Sequence, residues 1–291
     1  ALSRLWKKGA VSFSGTRDIS GSLKRLEIGS TLSAREILDI SSVLNVALRI
    51  KPLAKITDKE DSEEYEDSLA EFFTSIEPLS PVNNELKRCI IAEDEIADDA
   101  SAALSSIRRS IKSTNDKIHN LINSMVNSQT VRTYLQDNVV TMRNGRYCLP
   151  VKAEYKSSMP GMIHDQSATG STIFVEPMGV VQMNNELSEL AIKEQREIEK
   201  ILADLSNLLA EHIEEIHTDL MVLSQLDFIF ARAALSKALK CSEPDFNTEG
   251  IINLKCARHP LLDQSKVVPI DVRLGENYNL LVVTGPNTGG K

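Results

Sequence analysis

The residues with the clearest chemistry are glycines and a lysine at fixed spacing. Leu280-Leu281-Val282-Val283-Thr284 runs straight into Gly285-Pro286-Asn287-Thr288-Gly289-Gly290-Lys291. An apolar, β-prone run feeding G-x-x-x-x-G-K is the strand and loop that cradle nucleotide phosphates, the P-loop. Glycines let the backbone wrap closely, so that successive N–H groups converge on phosphate oxygens. Lys291 adds a full positive charge against the β- and γ-phosphates. A following helix would aim its positive end at the same anion. The hydroxyl residue that would hold Mg²⁺, and a later acidic strand, are expected beyond Lys291. The competing reading is a glycine-rich turn closing a hairpin, but the preceding apolar run favours the phosphate site. The 291 residues therefore read as part of a longer protein.

Other residues able to do chemistry lie mid-chain. Arg143, Arg146, Lys152 and Lys156 stand against Glu154, Asp165 and Glu176. Strand alternation would put 152, 154 and 156 on one face, mixing signs. Contact with nucleic-acid phosphates and ordinary surface charge are both open readings of the four cations. His164 beside Asp165 suggests acid–base work, yet no motif places a nucleophile with them. His212 has no second ligand at i+4 and is expected to be a packed or edge histidine rather than metal-bound. Near the start, Arg4, Lys7, Lys8, Arg17, Lys24 and Arg25 outnumber Asp18 and Glu27, as a local basic patch or a solvated edge.

These candidates need elements to hold them. From Leu32 the spacing is helical: Ser33 caps, Glu36 follows three residues on, and Ile37, Ile40, Val43, Leu44 and Leu48 form one face. The acidic run from Asp58 to Asp67 suits a helix start facing the macrodipole, with Leu69, Phe72 and Phe73 behind it. Asp98-Asp99 is expected to cap a long helix. Along it Leu104, Ile107, Ile111, Thr114, Ile118, Leu121 and Met125 recur in steps of three and four, a coiled-coil seam. Ile198, Ile201, Leu205, Leu208 and His212 repeat that spacing on a helix predicted to start near Asn184-Asn185.

Between the two helices the period becomes strand-like. Residues 139–151 read as a hairpin about Asn144-Gly145, and 162–175 as a second pair about Ala168-Thr169-Gly170. A small β-module thus sits at the far end of an antiparallel helical pair. Arms of about thirty residues, at ~1.5 Å each, would hold it roughly 40–50 Å from their base. The helical pattern continues from Ile213 through Leu239. After Glu243-Pro244-Asp245 come short strands, 251–254 and 267–274, which open an α/β nucleotide-binding domain.

Composition narrows the class. Aromatics make up 4% of the chain, while Leu, Ile, Ser, Glu, Ala and Lys abound, which suits long helices. No apolar run approaches the roughly 18 residues of a membrane span, and no export signal opens the chain. Cys89, Cys148, Cys241 and Cys256 stand far apart without a C-x-x-C, so reduced cytosolic thiols are expected. A net charge of −8 excludes a protein that coats nucleic acid with its whole surface; such binding would need a local patch.

Ala257-Arg258-His259-Pro260-Leu261-Leu262, followed closely by residues 284–291, resembles the start of the ATPase domain in the MutS family. Residues 146–152, Gly161-Met162-Ile163-His164-Asp165-Gln166-Ser167 and Phe174-Val175-Glu176-Pro177 resemble the clamp region of that family's second bacterial branch. That branch is associated with recombination suppression and ribosome rescue. The resemblance extends from about Ile28 onward and implies a mainly α chain with a small β clamp module on an antiparallel coiled-coil lever, followed by the first strands of an α/β P-loop ATPase domain. The implied division is 1–97 helical core, 98–138 outgoing lever helix, 139–182 clamp, 183–242 returning helix and core, and 243–291 the start of the ATPase domain.

It further implies a cytoplasmic homodimer whose ATPase domains sandwich nucleotide. Gly285, Pro286, Asn287, Thr288, Gly289, Gly290 and Lys291 would contact ATP, with Mg²⁺ held by ligands beyond them. Val267 and Val268 match an apolar pair that packs on the adenine, although a buried edge strand is an equal reading. The lever and clamp would close around branched DNA or around ribosomal RNA on a collided ribosome. A C-terminal Smr-type nuclease module is expected in this branch, with no catalytic residue in the present stretch. The clamp motifs imply the branch in which no mismatch-reading domain is expected before the core. Mismatch-repair MutS proper is therefore the lesser alternative, beside a coiled-coil chromosome-structure ATPase, in which the P-loop normally precedes the coil.

Overall fold

A computed structural model describes residues 1–8, 11–54 and 68–285, without the side chains of 7 and 8. Among the described residues the helices α1 (Leu2–Lys8), α2 (Ser20–Glu27), α3 (Ala34–Ile50), α4 (Ala70–Ser75) and α5 (Ser80–Cys89) come first. A small hairpin, β1 (Ile90–Ala92) and β2 (Glu95–Ile96), leads to α6 (Ala102–Asn127) and α7 (Gln129–Tyr134). Then follow β3 (Thr141–Arg143), β4 (Arg146–Lys152), β5 (Gly161–Gln166) and β6 (Thr172–Pro177). The chain returns through α8 (Met178–Ala210) and α9 (Ile213–Leu239) to a last hairpin, β7 (Ile252–Ala257) and β8 (Ile270–Leu274). The fold is mainly α with small antiparallel sheets. No helix among the described residues is long and apolar enough to cross a membrane.

The central helix of the base, α3, starts as its sequence dictates. Ser33 Oγ accepts from the Glu36 N–H while Glu36 accepts from the Ser33 N–H, a complete capping box. Ile37, Ile40, Val43 and Leu44 are fully buried, but Leu48 is 48% exposed and Ala47 and Ile50 take its place. The 3.6-residue period carries position 48 off the stripe that 40, 44 and 47 follow. The cap of α6 is Ser101, whose Oγ accepts from the Leu104 N–H at 3.0 Å, rather than the expected Asp98-Asp99. Asp98 pairs with Arg108 instead. The predicted helix start over 58–67 lies outside the described residues; Phe73, on α4, is fully buried.

Helices α6 and α8 run antiparallel. Ser101 reaches Glu197 at 2.8 Å, Arg108 reaches Glu194 at 2.7 Å, and Leu121 and Met125 pack beside Gly179. Two hydrophobic cores form along the pair. One gathers α1 to α5 and α9 with Leu104, Ile201, Leu205 and Leu209. The other gathers the four-stranded sheet with Ile118, Ile122, Val126 and Val180. From Leu104 to Ile118 the helix advances only about 21 Å at ~1.5 Å per residue. That is the gap between the nearest residues of the two cores, on helices of 26 and 33 residues that extend about 39 and 50 Å. The sheet lies flat against the outer turns instead of standing on their tips, because Ile122 and Val126 offer it an apolar face.

Helix α8 begins at Met178, well before the predicted Asn184-Asn185. Pro177 has no N–H to give a ladder, so the strand ends there and the helix starts at once. The returning pattern is not continuous either. It breaks after Ala210, and His212 is the N-cap residue of α9 rather than a seam position of α8.

The sheet order is β3-β4-β6-β5, antiparallel throughout. Asn144 (φ 52°) and Gly145 (φ 73°) both take positive φ, the two-residue hairpin turn their sequence announces. The β5–β6 ladder pairs Ile163 with Val175 but Asp165 with Phe174, so His164 is the extra residue of a bulge. Opposite Pro177, a Cβ on Gly161 would lie 2.2 Å from the Glu176 carbonyl oxygen and 2.7 Å from Val175 Cγ1. Gly161→Ala is expected to force the strands apart and cost about 1–3 kcal/mol. Faster amide exchange across β5 and β6, with α3 unaffected, checks it.

The last hairpin has no core: no described residue after Ala233 is buried. β7 runs to Ala257, longer than expected, while β8 spans only Ile270–Leu274. The predicted strand Leu280–Thr284 is unpaired, with Leu280 77% and Val282 70% exposed. A strand requires a partner for its N–H and C=O groups, and a lone two-stranded hairpin is marginal on its own.

Candidate functional site

The sheet is tied to the helical pair through one carboxylate. Glu176, on β6, is fully buried. Its Oε1 accepts from Arg146 Nη1 at 2.9 Å and Asn184 Nδ2 at 2.8 Å. Its Oε2 accepts from the same Arg146 nitrogen at 3.1 Å and from His164 Nε2 at 2.6 Å. Arg146 also donates to Asn185. Strands β4, β5 and β6 and helix α8 thus meet at a single acid. Burial pushes the Glu176 carboxyl up, but the hydrogen bonds from Asn184, His164 and Arg146 outweigh it and hold the group below the usual range. Sequence reasoning quoted Glu176 as a counter-charge and within the clamp motif Phe174-Val175-Glu176-Pro177, without assigning it this role. The bulge that turns His164 onto it and the early start of α8 that supplies Asn184 are tertiary features.

The four sequence-selected cations separate. Arg146 is committed to Glu176, so it is structural rather than a free phosphate ligand. Arg143 stacks over Phe174 at 4.0 Å and pairs with Asp165 at 3.1 Å, which also dissolves the supposed His164–Asp165 dyad. Lys152 and Lys156 lie beyond, at the end of β4 remote from the Asn144-Gly145 turn. A 3₁₀ turn over Ala153–Tyr155 interrupts the strand, so the expected alternation of 152, 154 and 156 on one face does not occur.

At this outer end Lys152 Nζ donates to the Thr133 carbonyl at 3.2 Å, bringing α7 and Arg132 alongside. The rings of Tyr134 and Tyr155 stand 5.1 Å apart, with Lys152 Nζ 5.9 Å from the latter. Among the described residues Arg132, Lys152 and Lys156 pair with no carboxylate. The hydroxyls of Ser167, Thr169 and Ser171 line the neighbouring β5–β6 turn. Sequence reasoning missed Arg132 because the short α7 follows the end of the seam.

Three of the six cations in the N-terminal basic stretch are taken up by partners, and the side chains of Lys7 and Lys8 lie outside the described residues. Arg4 is buried over the Phe73 ring at 4.5 Å, Arg17 pairs with Asp39 at 3.1 Å, and Arg25 forks onto Glu36 at 2.7 Å. His212 faces Glu215 at 3.6 Å, and no cluster of three or more His, Cys, Asp or Glu suited to a metal forms among the described residues.

Of the loop predicted to hold nucleotide phosphates, Gly285 is described, with φ 152°; Pro286, Asn287, Thr288, Gly289, Gly290 and Lys291 lie outside the described residues. Val267 is half-buried and Val268 76% exposed just before β8. Neither residue is in a strand, since β8 begins at Ile270. In the loop between β7 and β8, the His259 carbonyl accepts from Leu262 N–H at 3.2 Å and Gln264 Nε2 at 3.0 Å.

No family model matches the chain. Individual relatives do, along its whole length. The chain is 57% identical over 293 residues to the protein named Endonuclease MutS2 from Lachnoclostridium phytofermentans. It is 57% identical over 291 residues to that of Agathobacter rectalis and 43% over 291 residues to that of a Geobacillus species. Each match covers all of this chain and 36–37% of the relative, so the chain spans little more than a third of their length. The resemblance to the second bacterial branch of the MutS family, read from the clamp and P-loop motifs, is borne out.

Proposed function

We propose, from a chain homologous along its whole length to Endonuclease MutS2 proteins, that these residues form the core, lever and clamp of an ATP-dependent, dimeric clamp protein. It acts on branched DNA or on collided ribosomes, in recombination suppression or ribosome-associated quality control. The observation that carries this reading is the sheet fixed to the α6–α8 pair, with Arg132, Lys152 and Lys156 at its outer end facing no carboxylate partner among the described residues. Cations so placed contact phosphates and position a nucleic acid without reading its sequence. The buried junction at Glu176 makes sheet and helices move as one piece. A shift of the helices at their base would therefore be delivered to the outer end.

Bound ATP would supply the free energy for that shift. Gly285 to Lys291 would hold its phosphates, Val267 and Val268 would pack on the adenine, and the Mg²⁺ ligands would follow Lys291. The nuclease activity in the relatives' name belongs to the same proposal for the longer protein. The relatives' shared name favours neither mismatch repair proper nor a chromosome-structure ATPase.

Lys152→Ala and Lys156→Ala are each expected to weaken nucleic-acid binding uniformly across sequences. Each should lower the slope of log affinity against log salt by about 0.9. Unchanged slopes in both would remove the outer end from the interface. For the longer protein, affinity for four-way junctions and for collided ribosomes should be compared at one salt concentration, with and without ATP. Tight ATP-dependent binding to one identifies the substrate, and equal, weak binding to both sinks the clamp reading. The 291-residue stretch alone is expected to show no ATP turnover; magnesium-dependent hydrolysis abolished by Lys291→Ala would overturn that.

A further inference from the structure

The two long helices of the antiparallel pair carry opposite charge. In α6, Arg109, Lys112 and Lys117 are exposed, and Asp116 is the helix's one acid. In α8 acids outnumber bases, and Glu186, Glu189, Glu199 and Asp204 are exposed. At about 100° per residue, Lys112 and Lys117 stand about 60° and 80° to either side of Arg109, so the three cations share one face of α6. The rest of that face is Ser113, Asn120, Asn123 and Asn127, all exposed and uncharged. Among the described residues none of the three cations pairs with a carboxylate; Arg109 Nε donates to the Ser105 carbonyl at 3.2 Å. Arg108, next to them, reaches across to Glu194 at 2.7 Å instead.

A solvated helix face ordinarily alternates signs, since like charges one turn apart repel. Helix α8 shows that arrangement: Lys193, Arg196 and Lys200 each have an acid three or four residues away. On α6 Lys112 alone has one, Asp116, although the whole chain carries a net charge of −8. A positive face edged by Ser and Asn matches a polyanion, because these side chains also donate to phosphate oxygens. The helix has no Phe, Tyr or Trp on which unpaired bases could stack, so the face fits the backbone of a duplex rather than a single strand. From Arg109 to Asn127 it is about 27 Å long. After Ser128 the chain continues in α7, which carries Arg132 to the outer end. Resting on the nucleic-acid reading above, we propose that the outer face of α6 is a further contact surface, on which the phosphate backbone of a nucleic-acid duplex lies. The duplex runs along the α6 side of the helical pair, and the acidic α8 side faces away from it.

Affinity for DNA and RNA duplexes of about 30 base pairs, and for a single strand of equal length, is measured across a range of salt. Arg109→Gln, Lys112→Gln and Lys117→Gln together should lower the slope of log affinity against log salt by about 2–3 on duplex DNA. Affinity at about 100 mM salt should fall at least about tenfold, with the single strand little changed. All three residues are exposed and Gln is a good helix former, so the variant keeps the helix. An equal loss of charge on α8, by Lys193→Gln with Arg196→Gln and Lys200→Gln, should leave the slope as it is. An effect on only one of the two duplexes names that duplex as the occupant. Slopes unmoved by the α6 variant on both duplexes overturn the proposal. If Lys152→Ala and Lys156→Ala still lower them, the outer-end reading survives; if they do not, both fall. Equal losses from the α6 and α8 variants also overturn it, since net charge would then account for the attraction. So does an effect confined to the single strand.

Discussion

Glu176→Ala is expected to unfasten the sheet from its helices. The substitution removes the acceptor shared by Arg146, His164 and Asn184 and leaves the arginine without its counter-charge. Removing one partner of a buried ion pair typically costs 3–5 kcal/mol; Arg146 keeps part of its side chain in solvent, so about 3 kcal/mol is expected here. The loss should be local. Amides of β4, β5 and β6 should lose protection from exchange while those of α3 keep theirs. Arg146→Met combined with Glu176→Leu should recover most of the stability, since apolar side chains of similar volume avoid the desolvation cost. Sheet amides as protected in Glu176→Ala as in the parent would mean that apolar packing alone holds the module. Because the folded carboxyl lies below its ordinary value of 4.5, this contribution is present above that pH and lost as pH falls through the lowered folded value.

The second large effect has the opposite sign. Asp219, on α9, is fully buried; Oδ1 accepts from the Glu77 N–H at 2.8 Å, and Oδ2 has no partner. Burial pushes its carboxyl from 3.8 up to about 7, against the hydrogen bond from Glu77. The folded state therefore holds a proton that the unfolded state releases between those values. Stability is fully present below about pH 4 and falls as pH rises to about 7, by at most about 4 kcal/mol. Asp219→Asn keeps the acceptor and cannot ionise. At pH 8 the variant should be more stable by about 2 kcal/mol, allowing for one unpaired amide N–H group, and near parity at pH 5. Urea unfolding at the two pH values, followed on base helices, measures the difference. A parent chain equally stable at both would show that Asp219 is ionised in the fold.

The two carboxylates mark the limit of sequence reasoning. Nothing in the local pattern distinguishes Glu176, at which four elements meet, from Glu154, which stays in solvent. Nor does it set Asp219 apart from Asp227 on the same helix, although one is buried and the other exposed. The six N-terminal cations looked like a patch because chain order lists charges without their partners. Asp39, Glu36 and the Phe73 ring absorb three of them from elsewhere in the sequence.

What the sequence determined by itself is what short-range physics governs. The Ser33–Glu36 cap, the Asn144-Gly145 turn and the change of period from helix to strand and back all follow from neighbours a few residues apart. Tertiary structure decided which turns of the helices the sheet packs on, where Ile118, Ile122 and Val126 meet it. It also decided which cations remain free and which acids are buried. Those outcomes depend on groups brought together from distant parts of the chain, where desolvation and pairing, rather than spacing, fix the charge each one carries.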